Sequence, residues 1–251
     1  EFKHPNSGLV KLMLDTFGMS CSDFLVPEDL ALDKVEVEVP VKLAKKHLDK
    51  FAELCGAENL RTDTYTRIKK SYGGGMIDAL RLRHHIVENL ADVVVAPRTQ
   101  KEIEALVAYC DRERIPVYVY GGGSTVTRGM EAVKGGVSLD MSVHMNQVVR
   151  FNETDQTITV QAGMSGPALE EVLNHAPEML GAKRRYTCGH FPQSFKFSSV
   201  GGWVVTRGAG QNSTYYGKIE DIVIAQEYVT PRGVFKTNEI PRCATGPAFD
   251  Q

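Results

Sequence analysis

The sequence predicts an α+β fold of two lobes, a small parallel βαβ lobe followed by a mainly antiparallel β lobe with helices. Three observations point there. Val93 to Ala96, an amphipathic stretch after Thr99, and Val117 to Tyr120 follow one another within about thirty residues, the span of one βαβ unit. Beyond residue 136 the pattern changes to short β segments separated by turn residues. Between the two patterns lies Gly121-Gly-Gly-Ser-Thr125, and a second stretch rich in Gly, Ser and Thr runs from Ser198 to Gly210.

The totals bound the possibilities. A chain of 251 residues can bury a substantial core in one large domain or two small ones. With 42% apolar and 24% charged residues it has the composition of an ordinary globular protein. A formal net charge of −2 gives no electrostatic case for nucleic acid as a partner. Five cysteines (Cys21, Cys55, Cys110, Cys188, Cys243) are odd in number and contain no CxxC pair, which fits reduced thiols and a cytoplasmic protein. No apolar run has the length of a transmembrane segment.

Residues 1 to 34 show no clear period. Val35 to Val39 alternates as a short half-buried strand does. Val41 to Cys55 reads as an amphipathic helix with Ala44, Leu48, Phe51, Ala52 and Cys55 on one face and Gly56 to end it; its lysines form a solvated face. Val93 to Ala96 is a buried strand closed by Pro97. Thr99 then caps a helix, Glu102 completes a capping box, and Ile103, Leu106, Val107 and Cys110 form the inward stripe. The strand Val117 to Tyr120 makes this a right-handed parallel crossover, so the glycine loop sits at a strand's carboxyl end, where open α/β sheets bind ligands. Val137 to Asp140 is the next strand. Val148 to Phe151 and Thr157 to Gln161 form a hairpin, and Pro167 opens a helix with Leu169, Val172, Leu173 and Ala176 on one stripe. Ile219 to Val229 reads as a longer strand, turned at Thr230 to Gly233 and returning through Val234 to Thr237. The seam between lobes is expected near residues 128 to 136.

Glycines off the end of a strand allow φ > 0, and successive amides turned the same way form an anion-binding nest. The plain alternative is a tight turn without a ligand. Among phosphate-binding patterns, a Walker loop is excluded, because the only Gly-Lys pair, Gly217-Lys218, is followed by Ile219. A Rossmann fingerprint is weak, because no amphipathic helix follows the glycines. A pair of glycine and hydroxyl loops from two lobes, clamping an extended dinucleotide, accounts for both stretches.

Residues Asp92 to Gly233 resemble the FAD-binding (PCMH-type) domain of the vanillyl-alcohol-oxidase-like flavoproteins. Within that group they look most like alkyldihydroxyacetonephosphate synthase and the FAD-linked D-2-hydroxyacid dehydrogenases. The resemblance rests on Gly121 to Thr125, Val137 to Met141 with Met145-Asn-Gln147, and Val160 to Met164. Above all it rests on Gly189-His-Phe-Pro-Gln-Ser194, Phe197-Ser-Ser-Val-Gly-Gly-Trp-Val204, Thr206-Arg-Gly-Ala-Gly210 and Tyr216 to Val223. Residues 1–90 match weakly, although Tyr72 to Arg83 falls where the synthases carry a helix.

The resemblance implies that Val119, Tyr120, Gly121, Gly122, Gly123, Ser124 and Thr125 hold the FAD pyrophosphate. It implies that Gln193, Ser194, Ser198, Ser199, Gly201 and Gly202 run beside the pyrophosphate and flavin ring, with Thr206, Arg207, Gly208 and Ala209 completing the cradle. Many relatives attach FAD through a histidine after the paired glycines; none stands here, which implies non-covalent FAD. The implied division is an N-terminal extension (residues 1–90, partly helical) and an FAD-binding domain (residues 91–251, lobe one about 91–128, lobe two about 136–251, incomplete at the C-terminus). A substrate-binding cap, with the catalytic residues, is expected beyond Gln251, so catalytic residues are unknown and the chain alone is expected to be inactive. The partners implied are FAD and, through the cap, a small-molecule substrate; a homodimer of the longer protein is admitted. The reaction is either oxidation of a 2-hydroxy acid or an ether-lipid-type synthesis without net redox change. A flavin- or nucleotide-binding module with no catalysis of its own is the competing reading.

Single residues carry two readings each. Trp203 is core or cofactor contact. His190 faces the flavin or is a hydrogen-bonded structural residue. Arg207 pairs with the diphosphate or is a surface salt-bridge partner. His84-His85 has no ligand partners at metal spacing.

Overall fold

The computed structural model describes residues 7–24, 35 and 37–239; Cys243 and the last residues assigned to lobe two fall outside them. The helix α1 (Ser7–Phe17) has no counterpart in the sequence reading, because it buries none of its residues and so leaves no inward stripe. Val35 and Val37 to Val39 form no strand, and Glu36 lies outside the described residues. The alternation still decides burial: Val35, Val37 and Val39 pack against Ile68, Tyr72 and Leu90. The backbone there is held by the buried Arg67, whose Nη1 donates to Val39 O (2.6 Å) and Nε to Ala91 O (2.7 Å).

The helix α2 (Lys45–Cys55) ends at Gly56, φ +86°, as a glycine stop should. It is followed by β1 (Leu60–Arg61), α3 (Thr64–Lys69), α4 (Met76–Arg83) and β2 (Val93–Val95). The helix α5 (Gln100–Arg112) is capped by Thr99, whose Oγ1 accepts from Glu102 N. The Glu102 carboxylate reaches back one residue further than a capping box requires, accepting from Arg98 N (2.8 Å). Then come β3 (Val117–Tyr120) and β4 (Val137–Asp140).

The strands form one sheet in the order β1-β2-β4-β3, with β2, β4 and β3 parallel and β1 antiparallel at the edge. The crossover from β2 through α5 to β3 therefore skips a position. Val137–Asp140, assigned by sequence to the second lobe, fills that position. All four of its residues are buried, as a central parallel strand requires. The core of this lobe joins Phe51 and Cys55 of α2, Ile103, Leu106 and Cys110 of α5, and Val93, Val95, Val137 and Leu139 of the sheet. Residues 45–61 are thus built into the same core as residues 93–139.

The second lobe starts with the antiparallel hairpin β5 (Val148–Asn152) and β6 (Thr157–Val160), bulged between Val148 and Arg150. The helix α6 (Gly166–Asn174) opens with Pro167, capped by Ser165, and α7 (Ala176–Leu180) follows. Next are α8 (Val200–Val205), α9 (Ser213–Tyr216) and α10 (Ile219–Ile222). Met164, Leu169, Leu173, Trp203 and Ile219 form this lobe's core.

The strand expected from Ile219 to Val229 is corrected at its first half. Gly217 takes φ +85°, Asp221 Oδ2 accepts from Lys218 N (3.0 Å), and Ile219 N donates to Gly208 O (3.2 Å), so the chain winds one turn and buries Ile219. Only β7 (Glu227–Thr230) is extended. It pairs with β8 (Gly233–Lys236), and the hairpin returns to α5, where Val229 joins the first core.

Candidate functional site

The site is built where β3 ends. Val119 points outward, 64% exposed, and Tyr120 inward. The Tyr120 ring is covered by the ammonium of Lys70, 3.8 Å from its centroid, and Lys70 Nζ in turn lies 2.8 Å from Asp140 Oδ2 at the end of β4. Burial, then the Asp140 charge, raise the Tyr120 phenol, so it stays protonated. From Gly121 to Thr125 the chain bends away half-buried, with Gly123 at φ +70°. Among the described residues, no protein acceptor stands opposite the amides of Gly121 to Val126. Six consecutive residues with unengaged donors and a left-handed glycine are the features an anion-binding nest requires.

The second stretch closes on this bend. A Cβ on Gly122 would lie 1.8 Å from Phe197 O, and one on Gly121 would lie 2.1 Å from Ser199 Oγ. The two glycines are therefore required by the approach of residues 197–199, whereas the left-handed turn falls at Gly123. Ser194 O accepts from Phe197 N, Ser198 N and Ser198 Oγ, which folds residues 193–198 into a tight turn. Ser198 Oγ accepts from Trp203 Nε1 (2.6 Å), and Ser199 caps α8 by accepting from Gly202 N. Val200 N goes to Met164 O and Gly201 N to Ala162 O, both at 2.8 Å. A Cβ on Gly201 would lie 2.7 Å from Ala162 Cβ, so this glycine serves contact between segments. Unlike the first loop, the second stretch has the amides of Ser198, Val200, Gly201 and Gly202 engaged by the protein itself.

Gln193 is exposed at the turn. Thr206, Arg207, Gly208 and Ala209 follow α8, about 9 Å along its axis from Ser199 for six residues of helix. Thr206 Oγ1 donates to Gly202 O (2.7 Å). Arg207, at φ +52°, is exposed and faces Glu220 at 3.7 Å, the surface-pair reading of this residue. Trp203 is core, 3% exposed. His190 is buried edge-on to Trp203, ring centroids 4.9 Å apart, and among the described residues neither ring nitrogen has a partner. The hydrogen-bonded structural reading of His190 is thus not met; burial lowers its pKa and keeps the ring neutral.

Sequence reasoning passed over Lys70 and a second glycine triplet, Gly73 to Gly75, which lies against Ser124 to Val126. The triplet is visible in the sequence, but with no strand before it nothing marked it as more than a loop. The buried thiols are not nucleophiles: burial pushes Cys55 up to about 11 and Cys110 to about 12. No helix among the described residues is long and apolar enough to cross a membrane.

Known proteins align with this arrangement. Residues 91–238 match the family described as FAD binding domain. The alkyldihydroxyacetonephosphate synthase of Dictyostelium discoideum is 30% identical over 243 residues, covering 95% of this chain and 38% of the relative. The mitochondrial D-lactate dehydrogenase [cytochrome] of Arabidopsis thaliana is 33% identical over 155 residues, covering 61% of this chain and 25% of the relative. A solved alkyldihydroxyacetonephosphate synthase superposes with a TM-score of 0.78 at 29% identity, covering 93% of this chain and 41% of that one. The chain spans less than half the length of these relatives.

Proposed function

We propose, for a chain that belongs to the FAD binding domain family, that the FAD diphosphate lies on the unengaged amides of Gly121 to Val126. The cofactor of the family is FAD, and the residues present suit it: free donors in the first loop and a close second wall at Ser198 to Gly202 that side chains on Gly121 or Gly122 would push away. In this reading Val119 to Thr125 hold the diphosphate, and Gln193, Ser194, Ser198, Ser199, Gly201 and Gly202 flank it. Thr206 to Ala209 extend the cradle along α8. The carrying observation is the six-residue run of free amides beside that wall.

When bound, FAD supplies the electron-accepting ring that the protein's own side chains lack. The chain's part is to bind and orient it. The Trp203–Ser198 hydrogen bond fixes the wall, and the buried, neutral His190 packs edge-on against Trp203. The residues 121–126 offer no histidine for attachment, so the cofactor is held without a covalent bond. The longer protein is an FAD-dependent enzyme, either an oxidoreductase of 2-hydroxy acids or an ether-lipid-type synthase, as the names of the two relatives suggest. Its substrate, met through a cap, and a homodimer belong to the same proposal, as does the division into an extension (1–90) and a two-lobed FAD-binding domain. Free cysteines at positions 21, 55, 110 and 188 support a cytoplasmic setting. The chain alone is inactive in this reading.

The visible spectrum of the purified, dialysed protein tests the core of the proposal. A flavin spectrum whose chromophore is freed entirely by denaturation is the expected result; a colourless protein that gains none on mixing with FAD overturns it. Bleaching by D-lactate, against turnover of an acyl-dihydroxyacetone phosphate, separates the enzyme readings. A flavin that neither bleaches nor supports turnover would favour the competing reading, a binding module without catalysis.

A further inference from the structure

The segment ahead of β2 packs against the end of the first loop. Gly74 N donates to Thr125 O at 2.9 Å. A Cβ on Gly73 would lie 2.3 Å from Thr125 O and 3.0 Å from Thr125 Cγ2, and one on Gly75 would lie 3.5 Å from Val126 Cα. Gly73 N donates to the buried Asp78 Oδ2 at 3.1 Å, which fixes the glycine run to the start of α4.

The same segment fixes what lies on either side of the loop. Before it, Lys70 covers Tyr120 and pairs with Asp140, while Lys70 O accepts from Ser138 Oγ of β4 (3.0 Å). After it, the buried Glu131 gathers Arg81 (2.9 Å), Asn89 (2.7 Å) and Arg128 (2.5 Å). Tyr120, Thr125 and Glu131 are thus pinned at three successive points by residues 70–89. The run of free amides begins directly after the first pin and includes the second.

We infer that Lys70 to Arg81 form a strap of positioning residues that sets the diphosphate loop before the cofactor arrives. The affinity for FAD therefore depends on residues outside the matched span of 91–238. A loop already ordered spares the conformational entropy that binding would otherwise consume, and aligned donors need no rearrangement to meet an anion. The inference rests on the reading of Gly121 to Val126 as the diphosphate cradle.

Two alanine variants of the full chain separate the strap from general disturbance. Gly73→Ala drives a methyl into the Thr125 carbonyl, whereas a Cβ at Gly74 meets Ser124 only at ordinary contact distances of 3.6–3.8 Å. Apoprotein is titrated with FAD by flavin fluorescence, and hydrogen exchange is followed at the amides of residues 121–127. Gly73→Ala should weaken FAD binding about tenfold or more, equal to about 1.4 kcal/mol, and speed exchange in that loop even without flavin. Gly74→Ala should match the wild type in both. Lys70→Gln is the second probe should Gly73→Ala fail to fold: it should also weaken binding and loosen the loop, with Lys70→Arg restoring both. Variants that lose melting temperature yet bind FAD within twofold of wild type, with loop exchange unchanged, overturn the strap. A wild-type protein that binds no FAD overturns the cradle reading instead, and the strap's role toward the cofactor falls with it.

Discussion

Residues 121–126 and residues 198–202 both read as glycine and hydroxyl loops, yet the protein uses their backbones in opposite ways. In the first, the amides face no protein acceptor among the described residues. In the second, Ser198, Val200, Gly201 and Gly202 all donate within the protein. The glycines differ correspondingly. Those of the first loop allow a left-handed turn and the approach of Phe197; those of the second admit Ala162 and keep α8 close to its neighbours. A glycine-rich composition thus marks where backbones come close, and only the hydrogen-bond census tells a ligand cradle from a packing wall.

The sharpest way to break this contrast is Gly122→Val. Its Cβ would fall 1.8 Å from Phe197 O, so the wall must retreat, at about 3 kcal/mol or more for overpacking. Flavin should be lost on dialysis while the helical circular dichroism stays, because α2 and α5 pack in the other core. Flavin retained at wild-type stoichiometry would sink the nest reading.

Glu131→Gln probes the frame around the first loop. Burial works against the Glu131 charge, but hydrogen bonds from Arg81, Asn89 and Arg128 outweigh it and hold the carboxyl at about 2. Breaking this buried group should cost about 3 kcal/mol in urea unfolding at neutral pH. Since the folded pKa lies below the unfolded value of about 4.5, that stabilisation is complete above about pH 4.5 and fades as pH falls toward 2. The gap between wild type and variant should narrow over that window; a gap constant with pH would remove Glu131 as its source.

The wall is tested by Ser198→Ala. It strands Trp203 Nε1 in the core, for a loss of about 1–3 kcal/mol. Emission from the chain's single tryptophan reports unfolding directly. An unchanged midpoint would mean that this bond does not hold α8.

The smallest effect is expected of Arg207→Ala. As a surface partner of Glu220 it should change stability by less than about 1 kcal/mol and leave flavin retention as it was. Flavin lost from an otherwise stable variant would instead assign Arg207 to the diphosphate.

Periodicity made α2, α5, α6 and the β5–β6 hairpin legible, since each buries one face against a core and must repeat its apolar residues accordingly. It failed at α1, which buries nothing, and at Ile219, whose β-like apolar run is wound by a left-handed Gly217 and a local cap. It was silent on strand order, because nothing local distinguishes a strand that joins the sheet at its edge from one inserted in its middle. Of the candidate site, the first loop and its wall were legible from composition and the family's motif; Lys70 and Gly73 to Gly75 were not, for their partners are distant in sequence.

What the sequence determined by itself is which residues must be inside, where the chain must turn, and that two side-chain-poor stretches exist. Tertiary structure alone decided that β4 lies between β2 and β3, that Phe197 closes on Gly122, and that residues 70–75 brace Thr125. The division is physical: burial period and turn chemistry act over a few bonds, whereas the freedom of an amide depends on whatever backbone the fold brings opposite to it.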